Sequence, residues 1–208
     1  MKVPTLPECH ELFDQYKVPA GTVRVHCETV HNVATWLAEQ LIAHGYQLDL
    51  NIIKPFSLLH DFMKVVVLER LTDPPYNYQP TSEEITMHQK LRQQYTGMSE
   101  TKVAYEILHQ KYPEFATLFL ELDELTLDPH AKVHQETKFI HYVDWRVLGN
   151  TVVPLQERLE YIYAKYGHWI TKKNIDWEAT KQEQYAYERK IFKMLSFRAE
   201  ELGEKMKV

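Results

Sequence analysis

Through most of the chain apolar side chains recur every three to four positions, the period of a helix with one buried face. From about Thr22, the residues Val30, Val33, Ala34, Leu37 and Leu41 form such a stripe, and it stops at His44-Gly45, where glycine suits the left-handed C-terminal position. Ile140, Val143, Asp144 and Val147 repeat at i, i+3, i+4 and i+7 within a stretch that reads as helical from Asp128-Pro129 to Gly149. Pro154 in a first turn and Gly167 at an end bracket a further helix over Leu155 to Tyr166. The spacing also predicts a short leading helix over Pro7 to Tyr16, a helix start at Ser82-Glu83-Glu84, a break at Thr96-Gly97, and helices over Glu100 to Lys111 and Pro113 to Leu125. From Asp176 onward charged and aromatic residues mix, which predicts one or two helices packed outside the core.

One segment breaks the amphipathic rule. Phe56 to Leu68 is apolar all round, the pattern of an element buried on every side, and a helix is expected from Pro55 to about Arg70. Inside it stands His60-Asp61. An ionised carboxylate there would be prohibitively expensive unless a cation or hydrogen bonds compensate it. His26 lies one turn before Val30 on its own apolar stripe and is expected to face inward, whereas His31, rotated about 140° from it, is expected at the surface. Asp144 again sits on an apolar face. Three prolines between Thr72 and Pro80 forbid regular structure and mark a candidate lid, with Tyr76 and Tyr78 available to stack on a base.

Composition narrows the class. The 208 residues, 44% of them hydrophobic, suffice for one domain with a real core, and only 6 glycines among long Leu-, Glu-, Lys-, Gln- and Ala-rich stretches favour an all-α fold. The expected organisation is a single domain over residues 1–208, with a core over about 20–167 and a C-terminal helical extension over about 168–208. A formal charge of -5 with interspersed signs argues against a nucleic-acid polymer as partner, since no Lys/Arg stripe is available to displace counterions. Cys9 and Cys27 make no disulfide scaffold, the start of the chain lacks the apolar core of a signal peptide, and no stretch approaches the ~18 apolar residues of a membrane span. A cytoplasmic protein without a membrane partner is expected, and a homodimer is compatible with the sequence.

The order His26, His60-Asp61, Asp144 resembles the HD-domain superfamily of metal-dependent phosphohydrolases, whose pattern is a histidine, a later His-Asp pair and a still later aspartate. Val25-His26-Cys27-Glu28-Thr29-Val30 looks like the family's first-ligand helix, and Leu58-Leu59-His60-Asp61-Phe62-Met63-Lys64 is similar to its Leu-Leu-His-Asp-Ile-x-Lys signature. Phe139 to Val147 resembles the segment that bears the last aspartate, and the segments Val153 to Leu159 and Glu188 to Phe192 look like bacterial and archaeal members. The resemblance implies an HD-domain-like helical bundle in which His26, His60, Asp61 and Asp144 converge on one divalent ion. Two imidazoles and two carboxylates suit Mn, Fe, Co, Ni or Zn without selecting among them. Members with two metals use additional histidines before the last aspartate. Where the second is expected this chain reads Phe119-Leu120-Glu121-Leu122-Asp123-Glu124, so one metal is expected here.

The activity implied is hydrolysis of a small phosphorylated metabolite, with a nucleotide first in line. Asp61 and Lys64 are the expected catalytic residues, and Lys64, one turn beyond His60, is also a candidate to hold the substrate phosphate. Arg146 is a second candidate phosphate clamp and His88 a third substrate-binding residue. Two alternatives stand beside this reading: a phosphodiesterase on a cyclic or dinucleotide substrate, and a non-catalytic ligand-sensing module with a structural metal.

Overall fold

A computed structural model, which describes residues 1–72 and 78–206, is all-α. The helices are α1 (Leu6–Gln15), α2 (Val25–Ala43), α3 (Leu50–Leu59), α4 (Ser82–Gln94), α5 (Glu100–Leu108), α6 (Pro113–Leu127), α7 (Gln135–Asp144), α8 (Leu155–Lys172), α9 (Trp177–Phe192) and the short α10 (Leu202–Lys205). A π-turn over Ala20–Arg24 leads into α2, and a 3-10 turn over Lys64–Val66 follows α3. Between α7 and α8 the strands β1 (Val147–Leu148) and β2 (Thr151–Val152) form a minimal antiparallel hairpin, with Val147 paired to Val152.

The centre of the bundle is the packing of α2 on α3, with α7 laid against both and α6 behind α7. Val30, Ala34, Leu37 and Leu41 of α2 are fully buried, as the stripe requires. Phe56 and Phe62 meet Phe115 and Phe119 of α6 in edge-to-face contacts with centroids 5.2–6.4 Å apart. Such pairs add specific geometry to area burial, and they fix the end of α3 that carries His60.

Local chemistry explains several helix starts. Thr5 and Thr81 each form a capping box, with Glu8 and Glu84 respectively, and Asp49, Ser99 and Asp176 cap α3, α5 and α9 through their side chains. Three boundaries differ from the spacing argument. The helix expected over Pro55 to Arg70 ends at Leu59, so His60 and Asp61 occupy a tight turn rather than a helix interior. The stretch from Asp128 to Gly149 is helical only over Gln135–Asp144 and then reverses in the hairpin. Gly167 does not stop α8, which runs on to Lys172. Residues expected outside the core also belong to it: Ile191 and Leu202 are fully buried.

Tyr76 and most of the candidate lid lie outside the described residues. Tyr78 is described: its hydroxyl donates to the Glu84 carboxylate at 2.7 Å, and its ring lies so close to Gly21 that a Cβ there would run into it. Among the described residues no helix is long and apolar enough to cross a membrane.

Candidate metal centre

Three of the four expected ligands converge from three helix ends. His26 is the second residue of α2, directly after the π-turn, a local distortion frequent at functional sites. His60 follows the last residue of α3, and Asp144 is the last residue of α7. Nε2 of His26 lies 2.9 Å from Asp144 Oδ1, Nε2 of His60 lies 3.6 Å from the same oxygen, and one donor atom from each of the three residues falls within 4.8 Å of the others. Metal–nitrogen bonds of about 2.1 Å at tetrahedral or octahedral angles set neighbouring donor atoms about 3.0–3.4 Å apart, so the spacing fits a single ion.

The second nitrogens of the two histidines sharpen the point. Nδ1 of His26 is 2.9 Å from the Gly149 carbonyl, and Nδ1 of His60 is 2.7 Å from the Ser57 carbonyl. A carbonyl only accepts, so each Nδ1 carries the proton and, in a neutral ring, each Nε2 presents a lone pair toward Asp144. Two lone pairs aimed at a carboxylate repel it. Relief comes from protonating the rings or from a cation between them, and the second arrangement is the orientation of metal-bound histidines by backbone carbonyls. His60 Nε2 is moreover a buried nitrogen without a hydrogen-bond partner among the described residues, which native interiors rarely tolerate.

The fold builds these carbonyls into place. Gly149 occupies the hairpin turn with φ +64°, a conformation glycine adopts freely, and the turn presents its carbonyl to His26. Ser57 offers a C-terminal helix carbonyl that has no partner inside its own helix, and the His60 ring caps it. Burial opposes the charged forms here, but His26, His60 and Arg158 hold the Asp144 carboxyl well below the usual range. Desolvation likewise works against a His60 cation, and Asp144 and Asp61 outweigh it, raising its pKa.

Asp61 is not part of this three-residue group. Its Oδ2 lies 3.8 Å from the Lys64 ammonium, and Lys64 is in turn bonded at 2.6 Å to Glu100, the first residue of α5. Desolvation disfavours the Lys64 cation, yet Asp61 and Glu100 keep it firmly protonated. Lys64 therefore stands beside the centre as a fixed positive charge, held by a carboxylate 36 positions away.

The other expected substrate-binding residues are placed elsewhere. Arg146, the expected phosphate clamp, is 2% exposed, and its guanidinium is committed to the Val153 carbonyl, the Tyr142 hydroxyl, Glu188 and the Ala199 carbonyl. It ties α7 to the hairpin, α9 and the C-terminal turn. His88 is buried in α4 with Nε2 2.9 Å from the Leu68 carbonyl, a structural bond that anchors α4 to the segment after the 3-10 turn. His31, expected at the surface, is half-buried with Nδ1 2.9 Å from the Lys54 carbonyl, because α3 packs across that side of α2.

Sequence reasoning missed Arg158 of α8, whose Nη2 lies 3.7 Å from Asp144 Oδ1. Its signals were its position, one turn after the N-terminal proline of α8, and its place within the Val153 to Leu159 segment that resembles family members. Cys9 and Cys27 are free and buried.

Comparison with protein-family models, with curated proteins and with solved structures returns no match for this chain. The described fold and site thus stand on their own as an all-α protein with a candidate metal-binding group formed by His26, His60 and Asp144.

Proposed function

We propose that the protein is a metal-dependent phosphohydrolase acting on a small phosphorylated metabolite, with a nucleotide as the leading substrate class. The observation that carries this reading is the pair of histidines whose Nδ1 protons are committed to the Gly149 and Ser57 carbonyls while their Nε2 atoms face one carboxylate oxygen. That arrangement is built to share a cation.

His26, His60 and Asp144 would hold one divalent ion, with Asp61, which follows His60 in the chain, as the fourth expected ligand. Nitrogen and oxygen donors without thiolate suit Mn, Fe, Co, Ni or Zn. When bound, such an ion supplies Lewis acidity and an acidified water at neutral pH. The chain supplies positioning. Lys64, locked between Asp61 and Glu100, offers a preorganised ammonium to a phosphoryl oxygen, and preorganised charge costs no rearrangement as the transition state forms. Asp61 is the carboxylate best placed to accept a proton beside the ion.

The test is metal analysis of the purified protein by mass spectrometry, together with phosphate release across nucleotides for wild type and Asp61→Ala. Stoichiometric transition metal and turnover lost in the variant are expected. Absence of both overturns the reading, and mononucleotide products without inorganic phosphate would redirect it to phosphodiester cleavage.

A further inference from the structure

We propose that Arg158 of α8 binds the substrate phosphoryl group at the metal centre, the task that sequence spacing suggested for Arg146. The proposal rests on the phosphohydrolase reading and adds to it the residue that selects an anionic group at the site.

Two features set Arg158 apart. Its Nη2 lies 3.7 Å from Asp144 Oδ1, beyond ordinary hydrogen-bond length, and its Nε is buried without a partner among the described residues. A guanidinium has five donors in a fixed fork and cannot shed its charge, so leaving a buried donor unpaired is costly. Arg146, twelve residues earlier, shows how this chain satisfies a guanidinium that serves only structure: four bonds to protein acceptors. Among the described residues Arg158 has no such set. Its guanidinium rests on the Tyr161 ring, 5.5 Å from the centroid, one turn along the same helix. The ring positions the plane while leaving the donors free.

Charge points the same way. The fixed groups around the centre are three carboxylates, Asp61, Glu100 and Asp144, and two cations, Lys64 and Arg158. With neutral imidazoles these leave one net negative charge, and a divalent ion turns it into one net positive charge. Once Asp144 is engaged by the ion, Arg158 has lost much of its counter-ion and faces another cation at close range. An anion between them resolves the repulsion, and a phosphoryl group matches the fork in two-point geometry. The result is a site with a cation on each flank, Arg158 beside Asp144 and Lys64 beside Asp61.

The experiment uses the full chain loaded with Mn2+, titrated calorimetrically with inorganic phosphate, for wild type, Arg158→Gln, Arg158→Lys and Lys165→Gln. Lys165 lies on the same face of α8 and bonds to the Tyr161 hydroxyl at 3.1 Å, so its variant removes an equal charge from the helix without touching Asp144. Phosphate affinity is expected to fall about tenfold or more in Arg158→Gln, with partial rescue in Arg158→Lys, little change in Lys165→Gln, and Mn2+ stoichiometry and melting temperature maintained throughout. Equal phosphate affinity in wild type and Arg158→Gln overturns the proposal while leaving the metal centre intact. An equal fall in Lys165→Gln overturns it too, because the effect would then be long-range charge. If wild type takes up no Mn2+, Zn2+ or Co2+, the phosphohydrolase reading itself fails and carries this inference with it.

Discussion

Arg146 and Glu188 form a part-buried ion pair at 2.8 Å, with the Tyr142 hydroxyl bonded to both partners. The pair joins the end of α7, immediately beyond Asp144, to α9, so the residue that terminates the metal-facing helix is braced from behind.

Arg146→Met leaves the Glu188 carboxylate beside Tyr142 without its cation. Breaking a fully buried pair by removing one partner costs about 3–5 kcal/mol; Glu188 keeps some access to solvent, so the expected loss is about 3 kcal/mol, on the order of 10 °C in melting temperature for a chain of this size. Thermal denaturation should show that loss, and the double variant Arg146→Met/Glu188→Leu should recover part of it. A single variant as stable as wild type would show that the clamp contributes little.

Excess Mn2+, Co2+ or Zn2+ should raise the melting temperature of protein stripped of metal. At a hundredfold excess over Kd, binding to the native state alone contributes about 2.7 kcal/mol, or about 5–10 °C. Differential scanning fluorimetry with His60→Ala provides the control: a shift that persists in the variant would locate the ion elsewhere.

His141, one turn before Asp144 on α7, is buried, and its pKa is lowered to about 4 by desolvation, against a weaker pull from Asp144. Between that value and the ~6.5 of an unfolded histidine, the unfolded chain binds the extra proton, so folding stability falls as pH drops through this window and stops falling below it. The loss amounts to up to about 3 kcal/mol. Urea unfolding of metal-free wild type and His141→Gln at pH 7.5 and 4.5 should show a smaller drop for the variant by roughly that amount. Parallel pH profiles would refute the assignment.

Glu84 accepts from the Thr81 amide at 2.6 Å, the Tyr78 hydroxyl at 2.7 Å and the Ala20 amide at 3.3 Å, joining the start of α4 to the π-turn ahead of His26. Glu84→Ala should cost about 2 kcal/mol, since it strips several part-buried donors of a charged acceptor. Gly21→Ala should displace the Tyr78 ring and so release part of the same network. A double-mutant cycle by chemical denaturation should therefore give a combined loss smaller than the sum, whereas strict additivity would mean that the two contacts act independently.

The legible parts of this protein were those written in short-range chemistry. Helix starts at Ser82 and Pro113, the stop at His44-Gly45 and the inward face of α2 all follow from capping rules and the 3.6-residue period, which act within one or two turns. His26, His60 and Asp144 were legible because ionisable groups on apolar stripes are expensive unless something compensates them. Boundaries decided by distant packing were not. The apolar run after Pro55 reads as one long helix, yet it breaks at His60, where the imidazole takes the Ser57 carbonyl and the chain turns.

Composition and periodicity by themselves determined an all-α chain with His26 and Asp144 on apolar faces and His60 in an apolar run, because burial pattern and helix propensity are properties of neighbouring residues, and the family resemblance joined them into one set. Only the tertiary structure decided which cation faces that set. Arg146 and Arg158 both lie within about four turns of Asp144 along the chain, and nothing local distinguishes them. The hairpin at Gly149 reverses the chain between the two, so that Arg146 points into Glu188 and the C-terminal turn while Arg158 comes back to Asp144. That choice is made by the path of the backbone in three dimensions, and sequence spacing cannot express it.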